Sequence, residues 1–189
     1  FSPNSYGCRP GKNQRQAVEA AQKIVQSGKG YIVDIDLSKF FDRLNQDRLV
    51  NKLGRIIEDK RILRLVGNTL RSGVMQDGVV TPSPSGTTQG SPLSPLLSNL
   101  VLDELDKEIE ERGLEHCRFV DDCNIFVKTR KAGERVMASI SKFIEKKLKL
   151  VINQEKSKVA ESSMVKFLGM TIVDGTRAIA AKSMRRAMA

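Results

Sequence analysis

The chain has 189 residues, 40% apolar and 29% charged, which is enough for one substantial core and excludes a disordered chain. Its 32 Lys and Arg against 22 Asp and Glu leave a net charge of +10, which favours a polyanionic partner without specifying one. With no Trp, two Tyr and seven Phe, a broad aromatic platform for single strands is excluded, and no apolar run approaches a membrane span or a signal peptide.

The opening residues, F-S-P-N-S-Y, have the character of mid-chain, so the expectation is a piece of a longer protein. Residues 4–12 form a Gly/Pro-rich loop in which Arg9 and Lys12 could reach phosphate or simply be solvated. Gln14 to Gln26 has helical spacing at Val18, Ala21 and Val25, closed by Gly28 and Gly30. Tyr31 to Leu37 reads as a strand, with Tyr31, Val33, Ile35 and Leu37 on one face and Ile32, Asp34 and Asp36 on the other. Two carboxylates projecting the same way from an otherwise apolar strand require a counter-charge, either a basic side chain or a metal ion.

Asn45 caps a predicted helix reaching about Ile57, and a second is predicted over 59–71. The second places Ile62, Leu63, Val66 and Leu70 inward, and Lys60, Arg61, Arg64 and Arg71 outward. Residues 73–80 fit a hairpin around Asp77-Gly78. The stretch 81–95 is uncharged and dense in turn formers and hydroxyls. It leads into a helix over 96–112 whose N-terminus could offer N–H groups to phosphate.

Residues 117–127, C-R-F-V-D-D-C-N-I-F-V, predict a hairpin whose turn presents Asp121 and Asp122. Asp is a common turn residue, so an ordinary surface turn and a metal site both remain open for this stretch alone. A helix follows over 132–148 with a basic far side, then strands with a turn at Asp174-Gly175 and a helical stub over 182–188. Cys8, Cys117 and Cys123 form an odd set without C-x-x-C spacing, as expected of reduced thiols inside a cell, and His116 beside Cys117 lacks the ligand spacing of zinc.

If the strand carrying Asp36 neighbours the hairpin carrying Asp121 and Asp122, three carboxylates converge at one sheet edge. Oxygen-only ligands favour Mg²⁺ or Mn²⁺, and two such ions about 3.5–4 Å apart serve in-line displacement at phosphorus. With this net charge, the expected substrate is a nucleic acid.

Four stretches, S-Y-G-C-R-P-G-K (5–12), D-I-D-L-S-K-F-F-D (34–42), P-S-G-T-T-Q-G-S-P-L-S-P-L-L-S-N (84–99) and F-V-D-D (119–122), with K-F-L-G-M (166–170) as a fifth, carry a further reading. In this order and spacing they resemble the reverse transcriptase domain of group II intron-encoded maturases. The resemblance implies an α+β palm, a small antiparallel ferredoxin-like sheet backed by helices, with partial helical fingers. It divides the chain into part of the fingers (1–30), the palm strand with the first catalytic Asp (31–36), connecting helices, hairpin and Q-G loop (37–90), palm (91–180) and the start of a connection toward a thumb (181–189).

It further implies an RNA-directed DNA polymerase acting in intron mobility, with intron RNA binding that assists splicing. Asp36, Asp121 and Asp122 would be catalytic, and would bind two Mg²⁺, for which Mn²⁺ can substitute, together with the Leu37 backbone carbonyl. Phe41 matches the steric gate against ribonucleotides, Gln89 and Gly90 the loop beside the incoming nucleotide, and Phe167, Leu168 and Gly169 the primer grip. Arg9 and Lys12 are candidate RNA contacts. Asp34 is outside the usual metal set and would give electrostatic support at best. Phe119 stands where the family's Y-x-D-D box has Tyr, which removes a hydroxyl and keeps the ring. The implied partners are group II intron RNA, an RNA template with a DNA primer and dNTPs, with no membrane and with a homodimer left open. The implied compartment is the bacterial cytoplasm or an organelle. A splicing module that chiefly binds RNA and a retron-type reverse transcriptase are the alternative readings, and a cyclase with a similar palm is remote because it has no use for the Q-G-S-P loop.

Overall fold

The computed structural model describes residues 1–38, 40, 44–71, 74–76, 79–81, 93–180 and 184. Among them, the central feature is a four-stranded antiparallel sheet in the order β4-β5-β1-β6, built from β1 (Tyr31–Ile35), β4 (Glu115–Phe119), β5 (Asp122–Val127) and β6 (Lys158–Glu161). The sheet carries helices on both faces, and because all its strand pairs are antiparallel the fold is α+β rather than α/β.

Residue alternation in β1 decides which side chains go where. Val33, Ile35 and Leu37 enter the larger core with Ile125 and Val127 of β5. Against them lie α4 (Ser94–Glu111), through Leu97, Leu102, Leu105 and Ile109, and α5 (Arg130–Phe143), through Ile140. Each fully buried aliphatic side chain there contributes about 1.5–3 kcal/mol. Gly133 sets the close approach of α5, since a Cβ at that position would come 2.5 Å from Val159 Cγ1. Thr129 caps the helix, its side chain accepting from the Ala132 N–H at 3.2 Å.

The opposite face takes Ile32, Cys117 and Phe126 into a smaller core with Ala17, Val18 and Ala21 of α1 (Gln14–Gln26). An Asn13/Gln16 capping box starts α1 at the position the spacing predicts. A hairpin of β7 (Met170–Val173) and β8 (Thr176–Ile179) covers the rest of this core through Ile172, with its turn at Asp174-Gly175 as expected. Asp174 and Gly175 both have positive φ, 48° and 72°, which suits a two-residue hairpin turn. Gln22 and Gln26 of α1 each donate to the Gly175 carbonyl at 2.8 Å, fixing the hairpin against the helix.

Three helices depart from the sequence reading. Asn45 caps α2 (Gln46–Leu53), which ends with Gly54 as its C-cap rather than continuing to Ile57, because glycine has no side chain to favour the helical backbone and costs about 1 kcal/mol in a helix interior. In α3 (Lys60–Arg71), Val66, Gly67 and Leu70 are buried, whereas Ile62, expected inward, is 45% exposed. The predicted helix over 132–148 is α5 followed by a π turn at 144–148, which ends at Lys149 with φ 59°. The short strands β2 (Val74–Gln76) and β3 (Val79–Thr81) pair antiparallel around Asp77-Gly78, which lie outside the described residues. The stub expected over 182–188 also lies outside them, apart from Met184. No helix among the described residues is long and apolar enough to cross a membrane.

Candidate active site

The smaller core covers only part of its face of the sheet. Toward the β4–β5 turn, the same face exchanges Ile32, Phe126 and Ala160 for Asp34, Asp122 and Lys158, and here a cleft opens. Its lining is Asp34, Ile35, Asp36, Leu37, Asp121, Asp122, Lys156 and Lys166. The three carboxylates that the sequence singled out therefore meet in one place, because β1 pairs directly with β5 in a register that sets Ile35 against Cys123.

Backbone hydrogen bonds hold each carboxylate's attachment point. The Asp36 N–H donates to Ser157 Oγ at 3.0 Å, and the Asp36 carbonyl accepts from the Asn153 N–H at 2.9 Å. The Ser38 N–H donates to the Val151 carbonyl at 2.8 Å, so these two bonds bracket Leu37, which forms an antiparallel bridge with Ile152. Leu37 is one residue out of phase with those bonds, and its own carbonyl consequently faces away from residues 151–153, toward the β5 side. Asp121 lies in a two-residue turn, Val120-Asp121, closed by the Phe119–Asp122 pair, and Asp122 begins β5. Val120 in that turn has φ 60°, a conformation strained for a β-branched residue, and strain of this kind concentrates at functional sites.

The electrostatics of the cleft are unbalanced. Burial, then the charges of Asp34, Asp121 and Asp36, push the Asp122 carboxyl up to about 7, and Lys166 counters only part of this. Burial likewise raises Asp34 to about 6, with Lys158 opposing and Asp36 adding to the shift. Carboxylates that resist joint ionisation, with oxygen donors alone, fit a hard divalent cation. Among the described residues, however, no three His, Cys, Asp or Glu side chains stand close enough to enclose an ion. A cation here would need further oxygens, from backbone or from substrate.

Lys156 and Lys166 were not read from the sequence as site residues. Their signal was weak, since each is one Lys in a chain rich in them, and only the path of the chain after α5 brings them to the cleft. Asp34, expected to be secondary, does line the cleft, and Lys158 lies opposite it in the β1–β6 register.

The remaining candidates divide by location. Phe41, Gln89 and Gly90 lie outside the described residues. Phe167 is buried in the smaller core, and the Leu168-Gly169 turn beside it has φ of 52° and 87°. Gln14 of α1 donates to the Leu168 carbonyl at 2.6 Å, tying that turn to the helix. Arg9 and Lys12 do not line the cleft. Arg9 donates to the carbonyls of Ser2 and Ser5, and Lys12 to that of Pro3, so both brace the N-terminal loop. The His116 ring meets Asp106, and Cys8, Cys117 and Cys123 are free thiols.

A family model described as "Reverse transcriptase (RNA-dependent DNA polymerase)" matches residues 1–172. Protein YkfC of Escherichia coli is 27% identical over 84% of this chain and 52% of its own length. The group II intron-encoded protein LtrA of Lactococcus lactis is 28% identical over 84% of this chain and 25% of its own. A putative COX1/OXI3 intron 2 protein of Saccharomyces cerevisiae is 30% identical over 80% of this chain and 18% of its own. The chain thus spans about half the length of YkfC and a quarter or less of the two intron proteins. Among solved structures, apo telomerase from Candida tropicalis superposes with a TM-score of 0.71 over 95% of this chain and 38% of the telomerase chain. At 15% identity, that likeness speaks for the fold.

Proposed function

The chain belongs to the reverse transcriptase (RNA-dependent DNA polymerase) family, and on that premise we propose that the protein containing it extends a DNA primer on an RNA template. The observation that carries the reading is the convergence of Asp36, Asp121 and Asp122 in one cleft, with Asp122 pushed up to about 7 by burial and by its neighbouring carboxylates.

In this reading Asp36 and Asp121, with the Leu37 carbonyl, hold two Mg²⁺ or Mn²⁺ ions, and Asp122 completes the site more weakly. The ions, when bound, supply Lewis-acid activation of the primer 3′-hydroxyl and neutralise charge on the departing pyrophosphate. The chain's own groups position the reactants. Lys156 and Lys166 offer positive charge at the cleft for nucleotide or primer phosphates. Phe167, anchored in the core, sets the Leu168-Gly169 turn against the primer end, and Gln89 and Gly90 flank the incoming dNTP. Phe41 excludes the ribonucleotide 2′-hydroxyl. Residues 1–30 belong to the fingers, 31–36 and 91–180 to the palm, 37–90 to their connection, and 181–189 lead toward a thumb.

The test is primer extension by the full-length protein on an RNA template with dNTPs and Mg²⁺. Asp121→Ala/Asp122→Ala should lower the rate by about 10³-fold or more, the effect of losing several kcal/mol of charge stabilisation. A rate equal to wild type would sink the assignment. Phe41→Ala should raise ribonucleotide incorporation relative to dNTP, and an unchanged ratio removes the gate.

The names of two relatives, an intron-encoded protein and a putative intron protein, support group II intron RNA as the partner. One observation favours RNA binding as a further activity: an open groove on α3 is lined by Lys60, Arg61, Arg64, Leu65 and Asn68. Cognate intron RNA should displace an unrelated RNA from the protein, and equal competition by both would reduce this to nonspecific attraction.

A further inference from the structure

Beneath the carboxylate turn lies an ion pair that the cleft chemistry does not use. Arg118 of β4 and Asp106 of α4 are both fully buried. All five N–H donors of the Arg118 guanidinium find acceptors. Nε and Nη2 donate to Asp106 at 2.7 and 2.6 Å. Nη2 also donates to Ser5 Oγ at 2.9 Å, and Nη1 to Asn99 Oδ1 at 2.9 Å and to the Val120 carbonyl at 2.6 Å. His116 Nε2 approaches Asp106 Oδ1, the oxygen that accepts from Arg118 Nε, at 3.2 Å. A buried pair of this kind adds little net stability over apolar side chains of equal volume, so its effect must be sought in geometry.

That geometry converges on one peptide. Arg118 grips the carbonyl of Val120, the residue held at φ 60° immediately before Asp121. Gly7 presses on the turn as well: a Cβ there would come 2.5 Å from Val120 N and 2.7 Å from Val120 Cγ2. Asn99 links the two holds, since its Nδ2 donates to the Gly7 carbonyl at 2.8 Å while its Oδ1 accepts from Arg118. The N-terminal loop is further fixed by backbone bonds from the Tyr6 N–H to the Arg118 carbonyl and from the Arg118 N–H to the Asn4 carbonyl.

We propose that Arg118, oriented by Asp106 and backed by Gly7 and Asn99, is a positioning residue that locks the strained Val120 peptide and so delivers Asp121 and Asp122 into the cleft. The proposal rests on the nucleotidyl-transfer reading of that cleft. The hydrogen bonds of the Arg118 side chain go to Asp106, Asn99, Ser5 and the Val120 carbonyl and to none of the cleft carboxylates, so it acts through the turn backbone.

The experiment uses the full-length protein as wild type, Arg118→Lys, Arg118→Met/Asp106→Asn and Gly7→Ala. Melting temperature, template–primer affinity, kcat and KM for dNTP, and Mn²⁺ affinity are measured for each. Arg118→Lys keeps the charge facing Asp106 and loses the planar fork that reaches Val120. The double variant removes both buried charges while leaving His116 an acceptor, and Gly7→Ala disturbs the turn without altering any charge. Each should lower kcat by about tenfold or more, the scale of a sub-ångström to 1 Å misplacement, with template–primer affinity within about twofold of wild type.

A purely structural pair predicts that kcat follows stability and recovers in whichever variant melts near wild type. Wild-type kcat in a stably folded Arg118→Lys or double variant would overturn the proposal, and should the double variant not fold, Arg118→Lys and Gly7→Ala decide it. If the wild-type protein itself fails to extend a primer, the reading of the cleft fails. Mn²⁺ affinity then judges the turn: weaker binding in these variants upholds the positioning role, and affinity equal to wild type, or no binding by wild type, overturns it.

Discussion

Asp106, packed under β4, is fully buried and Asp122, at the start of β5, is half-buried, and their carboxyls move in opposite directions. Burial pushes Asp106 up, but hydrogen bonds from Arg118 and His116 and the Arg118 charge outweigh it and hold the group below its ordinary value. Burial pushes Asp122 up to about 7, and the neighbouring carboxylates add to the shift. The difference separates two kinds of acid. One has its cation within the chain and is finished on folding, whereas the other is left short of charge on a cleft open to solvent.

The largest expected effect breaks the completed side. Arg118→Met strands a buried carboxylate and should cost about 3–5 kcal/mol, read as a lower melting temperature and denaturation midpoint. A loss under about 1 kcal/mol would mean that Asp106 does not depend on Arg118.

The next effect is one of pH and bears on the unfinished side. The folded-state pKa of Asp122, about 7, lies above its ordinary value of 3.8, so between these limits the native state binds more protons than the unfolded one. Stability of the metal-free protein should fall as pH rises from about 4 to about 7 and level off above that. Asp34 contributes with the same sign, up to about 6. Asp106 has the opposite sign: its contribution is present above its ordinary pKa and is lost as pH falls through its lowered one. Asp122→Asn should therefore raise the melting temperature in EDTA at about pH 8 and leave it near wild type at about pH 4. An equal change at both values would erase the distinction between the two acids.

The smallest effect sharpens it. Lys166 opposes the rise in Asp122, so Lys166→Met should move the upper end of that slope to higher pH with little change elsewhere, measured in the same melting series. A slope that stays in place would show that Lys166 points its charge at substrate alone.

Much of the fold is legible locally. The 13-residue helix α1 stands where its apolar spacing predicts, and the Asp174-Gly175 turn where its residue types do. Those signals lie within a few residues of one another, and short-range sterics and hydrogen bonding suffice to express them. Ile62 of α3 is exposed although its spacing points inward, because which residues of an amphipathic helix are covered depends on its partner. The candidate site shows the same division. Asp36, Asp121 and Asp122 announce themselves as carboxylates in apolar surroundings. Asp106 carried a comparable signal, a carboxylate sharing a helix face with Leu102 and Ile109, yet its meaning depended on what faced it.

By itself, the sequence determined the chemical types available: the acids, the turn residues and the alternation that sends Asp34 and Asp36 to one face of β1. Tertiary structure alone decided which acid is neutralised. That choice depends on contacts between segments far apart in the chain, with α4 folding back to set Asp106 against Arg118 and the chain after α5 bringing Lys156 and Lys166 to the cleft. A charge's energy is set by what surrounds it within a few ångströms, and those neighbours exist only once the chain has folded.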